Sequence, residues 1–498
     1  MFRKVLVANR GEIACRVIRA LREAKIQSVA VYSDADRASL AVRMADEAVH
    51  IGPSISAESY LRISRILDAA RQTGAEAIHP GYGFLSENAN FADACHAVGL
   101  VFIGPSGDSI SKLGSKTAAR QLAIAAGVPV VPGTEQAVTN VEEARRIVRD
   151  IGYPVLLKAS AGGGGKGMRR VDREADLESA LRDAASEAER SFKSDAVYIE
   201  KLVSKPRHIE IQVLGDQHGH MIHLGERECS IQRRHQKVIE ESPSPVMLQY
   251  PELREAMGEA AVKVARAAGY YNAGTCEFLV DSNRNFYFLE MNTRLQVEHP
   301  ITELVTGFDL VQWQLKIASG QRLTLKQRDV RWRGSAIECR VYAEDPSMNF
   351  LPSPGRILQL REPSGPGVRL DSGVYPGWTV PMEYDPLLAK LAVWAEDRPT
   401  AIARLERAID EYSVAGIKTN LSFFRQLLAD PEFAAGNLHT GFIEEFFARQ
   451  SEQPPSKELL QLAAYTAALH DSRKRAAPKS ASQDVSRWRS SGLQEMMR

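Results

Sequence analysis

Short apolar runs alternate with amphipathic stretches near the start of the chain, as strands alternate with helices in α/β proteins. Residues 4–8 predict a strand, residues 13–23 an amphipathic helix and residues 28–32 a second strand. Further strand-and-turn units at residues 77–79 and 100–104 extend this β-α-β beginning. We therefore predict an α/β fold whose first domain, residues 1–114, is a doubly wound parallel sheet.

Proline and glycine clusters divide the rest of the chain. A predicted helix beginning near residue 116 ends at Gly127, and a compact α/β insertion follows up to residue 203. Strand-like alternation is predicted to dominate residues 204–345, and a further α/β segment extends to residue 447. Residues 448–498 are rich in Ser, Lys, Arg, Ala and Pro, which predicts a poorly ordered tail with some helix.

Composition and charge exclude several classes of protein. The 498 residues are 44% hydrophobic and 25% charged, which is typical of a soluble globular protein. With 63 basic and 62 acidic residues, the chain has no overall basic field for nucleic acid or membrane, so phosphate binding must be local. The five scattered cysteines form no C-x-x-C pair, and no apolar stretch is long enough to span a membrane. These features predict a reduced, cytoplasmic protein.

A short apolar strand ending in Lys158 leads directly into a glycine run at residues 162–167. Glycine lets backbone N–H groups approach phosphate oxygens without interference from a Cβ atom. The run lacks the Gly-Lys-Ser/Thr of a Walker A loop, and a flexible linker is the alternative. Because the strand precedes it, we favour a phosphate-binding lid. The turn at residues 9–12 lacks G-x-G-x-x-G and is interpreted as structural rather than as a dinucleotide site.

Two acidic residues are predicted to face each other across a hairpin. Residues 274–292 predict two strands joined by a turn. If the hairpin is symmetric about residues 283–284, Glu277 lies opposite Glu290, and Asn292 projects to the same face as Glu290. Facing carboxylates repel unless a cation bridges them, and carboxylates with an amide oxygen suit Mg²⁺ or Mn²⁺. The alternative is a skewed hairpin with one buried and one solvated acid.

Three polar residues follow this hairpin at intervals of two. If the strand continued, Arg294, Gln296 and Glu298 would lie on one face and line a cleft beside the metal. Glu298 could then act as a general base. A charged, solvated strand edge is the alternative, and the adjacent acidic pair makes us favour the cleft.

Residues 229–237 are dense in hydrogen-bond donors and are flanked by glutamates. The balanced charge argues against a nucleic-acid patch. Spacing alone leaves two interpretations open, namely a solvated loop, or a loop whose His235 and Lys237 contact a bound anion. Lone histidines such as His79 are interpreted as structural.

Five segments together resemble the biotin carboxylase family of the ATP-grasp superfamily. They are residues 8–14 (Ala-Asn-Arg-Gly-Glu-Ile-Ala), 79–88 (His-Pro-Gly-Tyr-Gly-Phe-Leu-Ser-Glu-Asn), 162–167, 232–237 and 290–300. The resemblance covers about residues 1–447. It implies an N-terminal biotin carboxylase domain at 1–114 and an ATP-grasp linker and lid subdomain at 115–203. An ATP-grasp core with the C-terminal biotin carboxylase domain would occupy 204–447, before the tail at 448–498.

The resemblance implies biotin carboxylation in two stages. ATP would phosphorylate bicarbonate to carboxyphosphate, whose collapse delivers CO₂ to biotin tethered to a carrier protein. The implied cofactors are ATP, Mg²⁺ or Mn²⁺, and biotin on a partner. The residues assigned to ATP are Lys116, Lys158, Gly164, Gly165, Met168, Glu200, Lys201, Val203, His208, Gln232, His235, Leu279, Glu277 and Glu290. Those assigned to the divalent ions are Glu277, Glu290 and Asn292, in agreement with the hairpin pattern.

The resemblance also assigns the two reacting partners of ATP. Bicarbonate would contact Lys237, Arg294, Glu298 and the backbone of Val297. Glu298 would remove its proton. Biotin would contact Tyr82, Gly83, Phe84, Gln296 and Arg340. Arg340 would stabilise the enolate of the ureido ring.

The expected partners are a biotin carboxyl carrier protein and carboxyltransferase subunits, with a homodimer as the expected assembly. A separate carrier is expected because the biotinylation sequence Ala-Met-Lys-Met does not occur in the chain. One rival is another ATP-grasp ligase that activates a carboxylate, which would share Lys158 and the metal pair but would not need Tyr82 or Arg340. A second rival is a non-catalytic nucleotide-binding regulator, against which Arg294 and Glu298 weigh.

Overall fold

The chain opens with parallel strands connected by helices. The computed structural model describes residues 1–134, 138, 140–159, 168–192, 197–451 and 457–475. The strands of the first sheet are β1 (Lys4–Val7), β2 (Gln27–Ser33), β3 (Glu47–Gly52), β4 (Ala77–His79) and β5 (Val101–Phe102). The helices between and after them are α1 (Gly11–Glu23), α2 (Leu40–Met44), α3 (Ile63–Thr73), α4 (Ala89–Ala97) and α5 (Gly107–Gly114).

This first sheet is parallel and has the strand order β3-β2-β1-β4-β5. Val5 and Val7 pack into one hydrophobic core and Leu6 into another, so both faces of the sheet are covered. The predicted doubly wound α/β architecture is confirmed. The edge strand β3 was absent from the prediction, because three of its six residues are exposed and no apolar alternation marks it.

A small α/β segment follows. Its elements are α6 (Lys116–Ala125), α7 (Val141–Ile151), β6 (Val155–Ala159), β7 (Met168–Val171), α8 (Glu174–Phe192) and β8 (Val197–Lys201). The three strands form an antiparallel sheet in the order β7-β6-β8. Val155 and Leu157 of β6 are fully buried in its core with Val148 of α7 and Leu177 of α8. The predicted glycine lid at residues 162–167 lies outside the described residues.

Most of the remaining strands belong to one large antiparallel sheet. The strands are β9 (Arg207–Gly215), β10 (Met221–Arg233), β11 (Gln236–Ser242), β12 (Asn272–Val280), β13 (Phe286–Asn292), β14 (Ser335–Tyr342), β15 (Glu344–Asp345), β16 (Leu351–Pro352), β17 (Gly355–Arg356), β18 (Gln359–Arg361), β19 (Val368–Ser372), β20 (Thr379–Val380), β21 (Leu387–Ala395) and β22 (Ser413–Ala415). Eight of them form the sheet β13-β12-β9-β10-β11-β14-β21-β19. The short strands pair as β15-β16, β17-β20 and β18-β22.

Helices interrupt the region in which strand-like alternation was expected to dominate. The helices from here on are α9 (Pro245–Gln249), α10 (Pro251–Ala267), α11 (His299–Thr306), α12 (Leu310–Ala318), α13 (Arg398–Glu411), α14 (Leu421–Leu428), α15 (Pro431–Ala434), α16 (Phe442–Ser451) and α17 (Lys457–Arg475). Strands still predominate there, as expected, but the alternation gave no sign of α9 to α12. In α10 the buried residues Leu253, Met257, Ala261 and Val264 recur at helical spacing, and Pro251 starts the helix.

The chain divides into two compact units, Met1–Ile443 and Glu444–Arg498. The first contains all the sheets described above. The second contains most of α16 and all of α17, and Leu462 and Tyr465 of α17 are exposed. Among the described helices, none combines the length and the apolarity that crossing a bilayer requires.

Candidate active site

Alternate residues of β9 separate a hydrophobic core from a polar cleft. Ile209 and Ile211 pack in the core that contains α10, whereas His208, Glu210 and Gln212 project to the other face of the sheet. All five side chains are buried. An alternating strand usually places its polar residues in solvent, so buried polar residues on this face indicate a site rather than a surface.

The predicted pair of facing acids is confirmed, because Glu277 of β12 lies opposite Glu290 of β13. The register of the hairpin is not symmetric, although the prediction had assumed symmetry. Phe278 lies opposite Phe288, and one extra residue in β13, Leu289, then shifts the register. This bulge moves Glu290 off the core face that Phe288 occupies and onto the face of Glu277.

The hairpin supplies oxygen atoms suited to a divalent cation. Burial and the charge of Glu277 raise the pKa of Glu290, so the ionised Glu277 disfavours ionisation of the acid that faces it. Asn292 reaches the same place, since its Nδ2 donates to Glu277 Oε1 at 2.9 Å. Two carboxylates and an amide form a hard-oxygen donor set, and a cation between them would relieve the repulsion.

Lys237 of β11 lies among three carboxylates. Its Nζ is 2.5 Å from Glu210 Oε2, 2.8 Å from Glu277 Oε1 and 2.7 Å from Glu298 Oε1. Of the two interpretations left open for the donor-rich segment, this position excludes a solvated loop for Lys237. His235, two residues earlier, lies exposed at the tip of the hairpin.

Arg340 of β14 shares Glu298 with Lys237. Its Nη2 is 2.9 Å from Glu298 Oε2, and its Nε donates to Glu240 Oε1 at 2.7 Å. Each oxygen of the Glu298 carboxylate therefore accepts a hydrogen bond from a different cation. Glu298 is fully buried, so it forms a fixed bridge between the Lys237 side and the Arg340 side of the cleft.

The charges of this cluster hold one another ionised. Burial alone would raise the pKa of Glu298, but Lys237, Arg340 and Arg227 outweigh it and hold this pKa well below its usual range. Burial likewise opposes the charge of Lys237, yet its three carboxylate partners raise its pKa well above the usual value. The pKa of Glu277 is lowered against burial by Lys237 and His208.

Arg227 of β10 lies beside the cluster and is completely buried. Its Nε is paired with Glu210, and its Nη1 donates to Gln212 at 2.7 Å and to Thr302 at 2.8 Å. Its Nη2 donates to Thr275 Oγ1 at 3.0 Å. With four partners on β9, β12 and α11, Arg227 fixes Glu210, and through it Lys237, relative to the sheet.

Arg294, Gln296 and Glu298 lie together, but not on a strand as predicted. β13 ends at Asn292, and the chain then turns until α11 begins after Glu298. The strand-period argument is therefore wrong, because Pro300 near the start of α11 favours a helix there. Arg294 Nη1 nevertheless donates to Gln296 Oε1 at 3.1 Å.

Arg294 also connects this loop to the first sheet. Its Nε donates to Glu87 Oε2 at 2.8 Å, and its Nη2 donates to Asn292 Oδ1 at 3.1 Å. Glu87 Oε1 in addition accepts from the backbone N–H of Thr293 at 2.9 Å. Glu87 belongs to the glycine-rich turn segment at residues 79–88, so that segment and the cleft are in direct contact.

The turn formed by Tyr82, Gly83 and Phe84 stands beside the cleft. Tyr82 lies 5.7 Å, measured to its ring centroid, from the buried Nζ of Lys390. Lys390 Nζ also donates to the carbonyl of Val297 at 2.8 Å. A single buried lysine therefore contacts both the turn and the residue that precedes Glu298.

Comparison with known proteins gives the same architecture. Residues 1–110 match the family model "Biotin carboxylase, N-terminal domain", residues 115–326 the "Carbamoyl-phosphate synthase L chain, ATP binding domain", and residues 338–445 the "Biotin carboxylase C-terminal domain". The chain is 53% identical over 447 residues to biotin carboxylase 1 of Bacillus subtilis, covering 90% of this chain and 99% of that protein.

The chain belongs to the biotin carboxylase family. It is also 55% identical over 446 residues to a pyruvate carboxylase subunit of Methanothermobacter thermautotrophicus, covering 90% of both chains. Among solved structures it is similar to the biotin carboxylase domain of 2-oxoglutarate carboxylase from Hydrogenobacter thermophilus. That structure is a dimer with MgADP, ADP and bicarbonate, at 48% identity and a TM-score of 0.82, covering 89% of this chain and 98% of that one. The predictions of family, fold class and ATP-dependent biotin carboxylation are confirmed.

The biotin carboxylase residues predicted for ATP lie around the small sheet and the cleft. Lys158 of β6 forms an ion pair with Glu200 of β8. Lys201 Nζ donates to the carbonyls of Gly152 and Tyr153 at 3.0 and 2.9 Å, which ties β8 to the start of β6. Its charge is thereby held near the small sheet rather than in the carboxylate cluster.

The other residues predicted for ATP occupy several elements. Lys116 is exposed at the start of α6, and Val203 is half-buried just after β8. His208 Nε2 is 2.9 Å from Glu277 Oε2, which places it in the cluster. Gln232 and Leu279 are half-buried on β10 and β12. Met168 begins β7 opposite Lys158, whereas Gly164 and Gly165 lie outside the described residues.

Five residues that were not predicted lie in or beside the cleft of this biotin carboxylase. They are Glu87, Glu210, Arg227, Glu240 and Lys390. For Glu210 a pattern was available, because the sequence of β9 alternates His, Glu and Gln with Ile and Val. No local pattern marks Lys390, which reaches the site from a strand about ninety positions beyond Glu298 in sequence.

Proposed function

We propose that the carboxylate of Glu298, held between two cations, is the base that prepares bicarbonate for phosphorylation by ATP. The observation that carries this assignment is the bridge itself, with Lys237 on one oxygen of Glu298 and Arg340 on the other. Bicarbonate would bind beside Lys237 and Arg294, and the peptide of Val297 would complete the site. Fixed opposite charges around a weak nucleophile both position it and stabilise its developing charge.

The low pKa of Glu298 limits how readily this carboxylate accepts a proton from bicarbonate. A carboxylate that two cations stabilise is a poor proton acceptor, since its ionised form is favoured. An anion that binds Lys237 competes for the same positive charge. Its arrival would raise the pKa of Glu298 and make it a better base when a proton is to be removed.

Magnesium or manganese fits the oxygen donor set of the hairpin. Glu277, Glu290 and Asn292 would hold the ion, as the facing carboxylates and the adjacent amide indicate. Such an ion bridges phosphate oxygens and neutralises charge as the γ-phosphoryl group moves. ATP itself would contact Lys116, Lys158, His208, His235 and the lid.

Biotin would occupy the side of Glu298 that faces Arg340. Arg340 is cationic at all working pH values, since the carboxylates of Glu240 and Glu298 raise its pKa against burial. Its guanidinium is therefore available to stabilise an enolate of the ureido ring. Tyr82, Gly83, Phe84 and Gln296 would form the walls of this pocket.

We propose that a separate carrier protein presents biotin, that carboxyltransferase subunits complete the reaction, and that two copies of the chain form a homodimer. The Hydrogenobacter relative is a dimer, and the Methanothermobacter relative is one subunit of pyruvate carboxylase. We also propose a cytoplasmic location, because all five cysteines are buried and unbridged, as in a reducing compartment.

Glu298→Gln tests the proposed base, with ADP release measured at varied bicarbonate. The substitution keeps the shape and removes the proton acceptor, so bicarbonate-dependent ADP release should fall by about 100-fold or more while ATP binding persists. Glu338→Gln is the matched control. Burial raises the pKa of Glu338 well above its usual value, which favours the neutral form, so its replacement by a neutral glutamine should leave turnover unchanged. Retained turnover in Glu298→Gln would assign the base elsewhere.

A further inference from the structure

The turn that carries Tyr82 and Gly83 has an unfavourable backbone conformation. Gly81, Gly83 and Phe84 have φ values of 65°, 69° and 42°. Phe84 is not a glycine, so its left-handed conformation costs about 1 kcal/mol or more. Such a turn keeps its shape only when neighbouring groups hold it.

Asn9, two residues beyond the end of β1, is one of these neighbouring groups. Its Nδ2 donates to the carbonyl of Pro80 at 2.7 Å and to that of Tyr82 at 2.8 Å. Its Oδ1 accepts from the backbone N–H of Arg10 at 2.8 Å, which orients the amide so that both donors point at the turn. Asn9 is only 4% exposed, and these three hydrogen bonds go to the turn and to the backbone of Arg10.

Gly81 is matched to Asn9. A Cβ atom at position 81 would lie 2.8 Å from Asn9 Nδ2, closer than such atoms approach. On the other side of the turn, His79 Nδ1 accepts from the N–H of Gly81 at 3.0 Å, and its Nε2 lies 3.2 Å from Gln314 Oε1. The segment at residues 8–14, which contains Asn9, and the segment at residues 79–88, which contains Gly81, therefore pack against each other.

We infer that Asn9 is a positioning residue for biotin, acting through the turn that carries Tyr82 and Gly83. This inference rests on the proposed function, which assigns Tyr82, Gly83 and Phe84 to the biotin pocket. Asn9 holds two of the four carbonyls between Pro80 and Gly83, so removing its donors releases the pocket wall while the carboxylate cluster on the large sheet keeps its partners. The effect should fall on biotin and not on ATP or bicarbonate.

Asn9→Asp tests this inference by steady-state kinetics of ADP release, with free biotin as the varied substrate. The substitution keeps the size but turns a carboxylate oxygen toward the carbonyls of Pro80 and Tyr82. We expect the KM for biotin to rise roughly tenfold or more, because two buried hydrogen bonds are lost. Bicarbonate-dependent ADP release without biotin, and the KM for ATP, should stay within about twofold of wild type.

Asn140→Asp is the matched control, since Asn140 caps α7 by accepting from Glu142 and an aspartate can do the same. An unchanged KM for biotin in Asn9→Asp, or an equal loss of biotin-independent ADP release, would overturn the inference. If Asn9→Asp does not fold, Asn9→Ala removes both donors without adding charge and carries the same expectations. Wild-type protein that does not respond to biotin would overturn the proposed function instead.

Discussion

Two lysines of this protein, Lys237 and Lys390, lie among acidic side chains, but they differ in their exposure and in their partners. Lys237 contacts Glu210, Glu277 and Glu298, and its side chain keeps 12% of its surface exposed to the cleft. Lys390 has no exposed surface.

The partners of Lys390 are also of a different kind. Its Nζ lies 3.4 Å from Glu12 and 3.8 Å from Asp371, and it donates to the Val297 carbonyl. An anion can displace the partners of Lys237 but cannot reach Lys390. From this difference we expect Lys237 to be accessible to a bound anion and Lys390 to stabilise the fold.

Replacing Lys390 should give the largest loss of stability. In Lys390→Met the carboxylates of Glu12 and Asp371 lose a buried cation, and the free energy of unfolding should fall by about 3 kcal/mol or more. Denaturant unfolding measures this loss. The control is Lys263→Met, because Lys263 is exposed on α10 and should contribute within about 0.5 kcal/mol. A Lys390→Met variant as stable as this control would contradict the structural role.

Replacing Lys237 should affect activity more strongly than stability. In Lys237→Met the cation beside the proposed bicarbonate site is lost, so kcat/KM should fall by about 100- to 1,000-fold. The free energy of unfolding should fall by less than in Lys390→Met, because water can reach the open cleft. Bicarbonate-dependent ADP release and denaturant unfolding on the same samples measure both. If Lys237→Met lost more stability than Lys390→Met, the distinction between the lysines would be wrong.

The two clusters should also differ in their dependence on pH. Burial raises the pKa of Glu12 from 4.5 to about 7, so ionising it in the folded state opposes folding as pH rises through this range. Glu277 and Glu298, beside Lys237, have lowered pKa values, and their stabilisation is complete above about pH 4.5 and lost only below it.

Glu12→Gln isolates the first of these effects. Between pH 5 and pH 8 its free energy of unfolding should rise relative to that of wild type, by up to about 3 kcal/mol. Denaturant unfolding across this range provides the measurement. Parallel curves for the two proteins would show that Glu12 does not titrate there.

Local patterns sufficed for the elements that depend on local physics. The first strands and α1 lie within a few residues of their predicted bounds, because buried parallel strands and an amphipathic helix have distinct apolar periods. The pairing of Glu277 with Glu290 was also predicted, although the bulge at Leu289 was not. The assumed symmetry about residues 283–284 pairs Glu277 with Glu290. The structure reaches the same pairing only because the bulge inserts one extra residue.

The rest of the site depends on distant parts of the chain. Glu210 and Lys390 meet the predicted residues only because β9 and β21 lie in the same large sheet. Asn9 reaches the turn at Tyr82 because β1 and β4 are neighbours in the first sheet. Strand order across such separations is set by tertiary packing, and a single sequence carries little information about it.

The most direct test of the account is ADP release by the purified protein with Mg²⁺ and ATP, with and without bicarbonate and free biotin, in wild type and Arg340→Ala. We expect both substrates to stimulate release in wild type, and we expect Arg340→Ala to lose the response to biotin while keeping a response to bicarbonate. Release that is indifferent to biotin in wild type, or a biotin response that survives in Arg340→Ala, would contradict it.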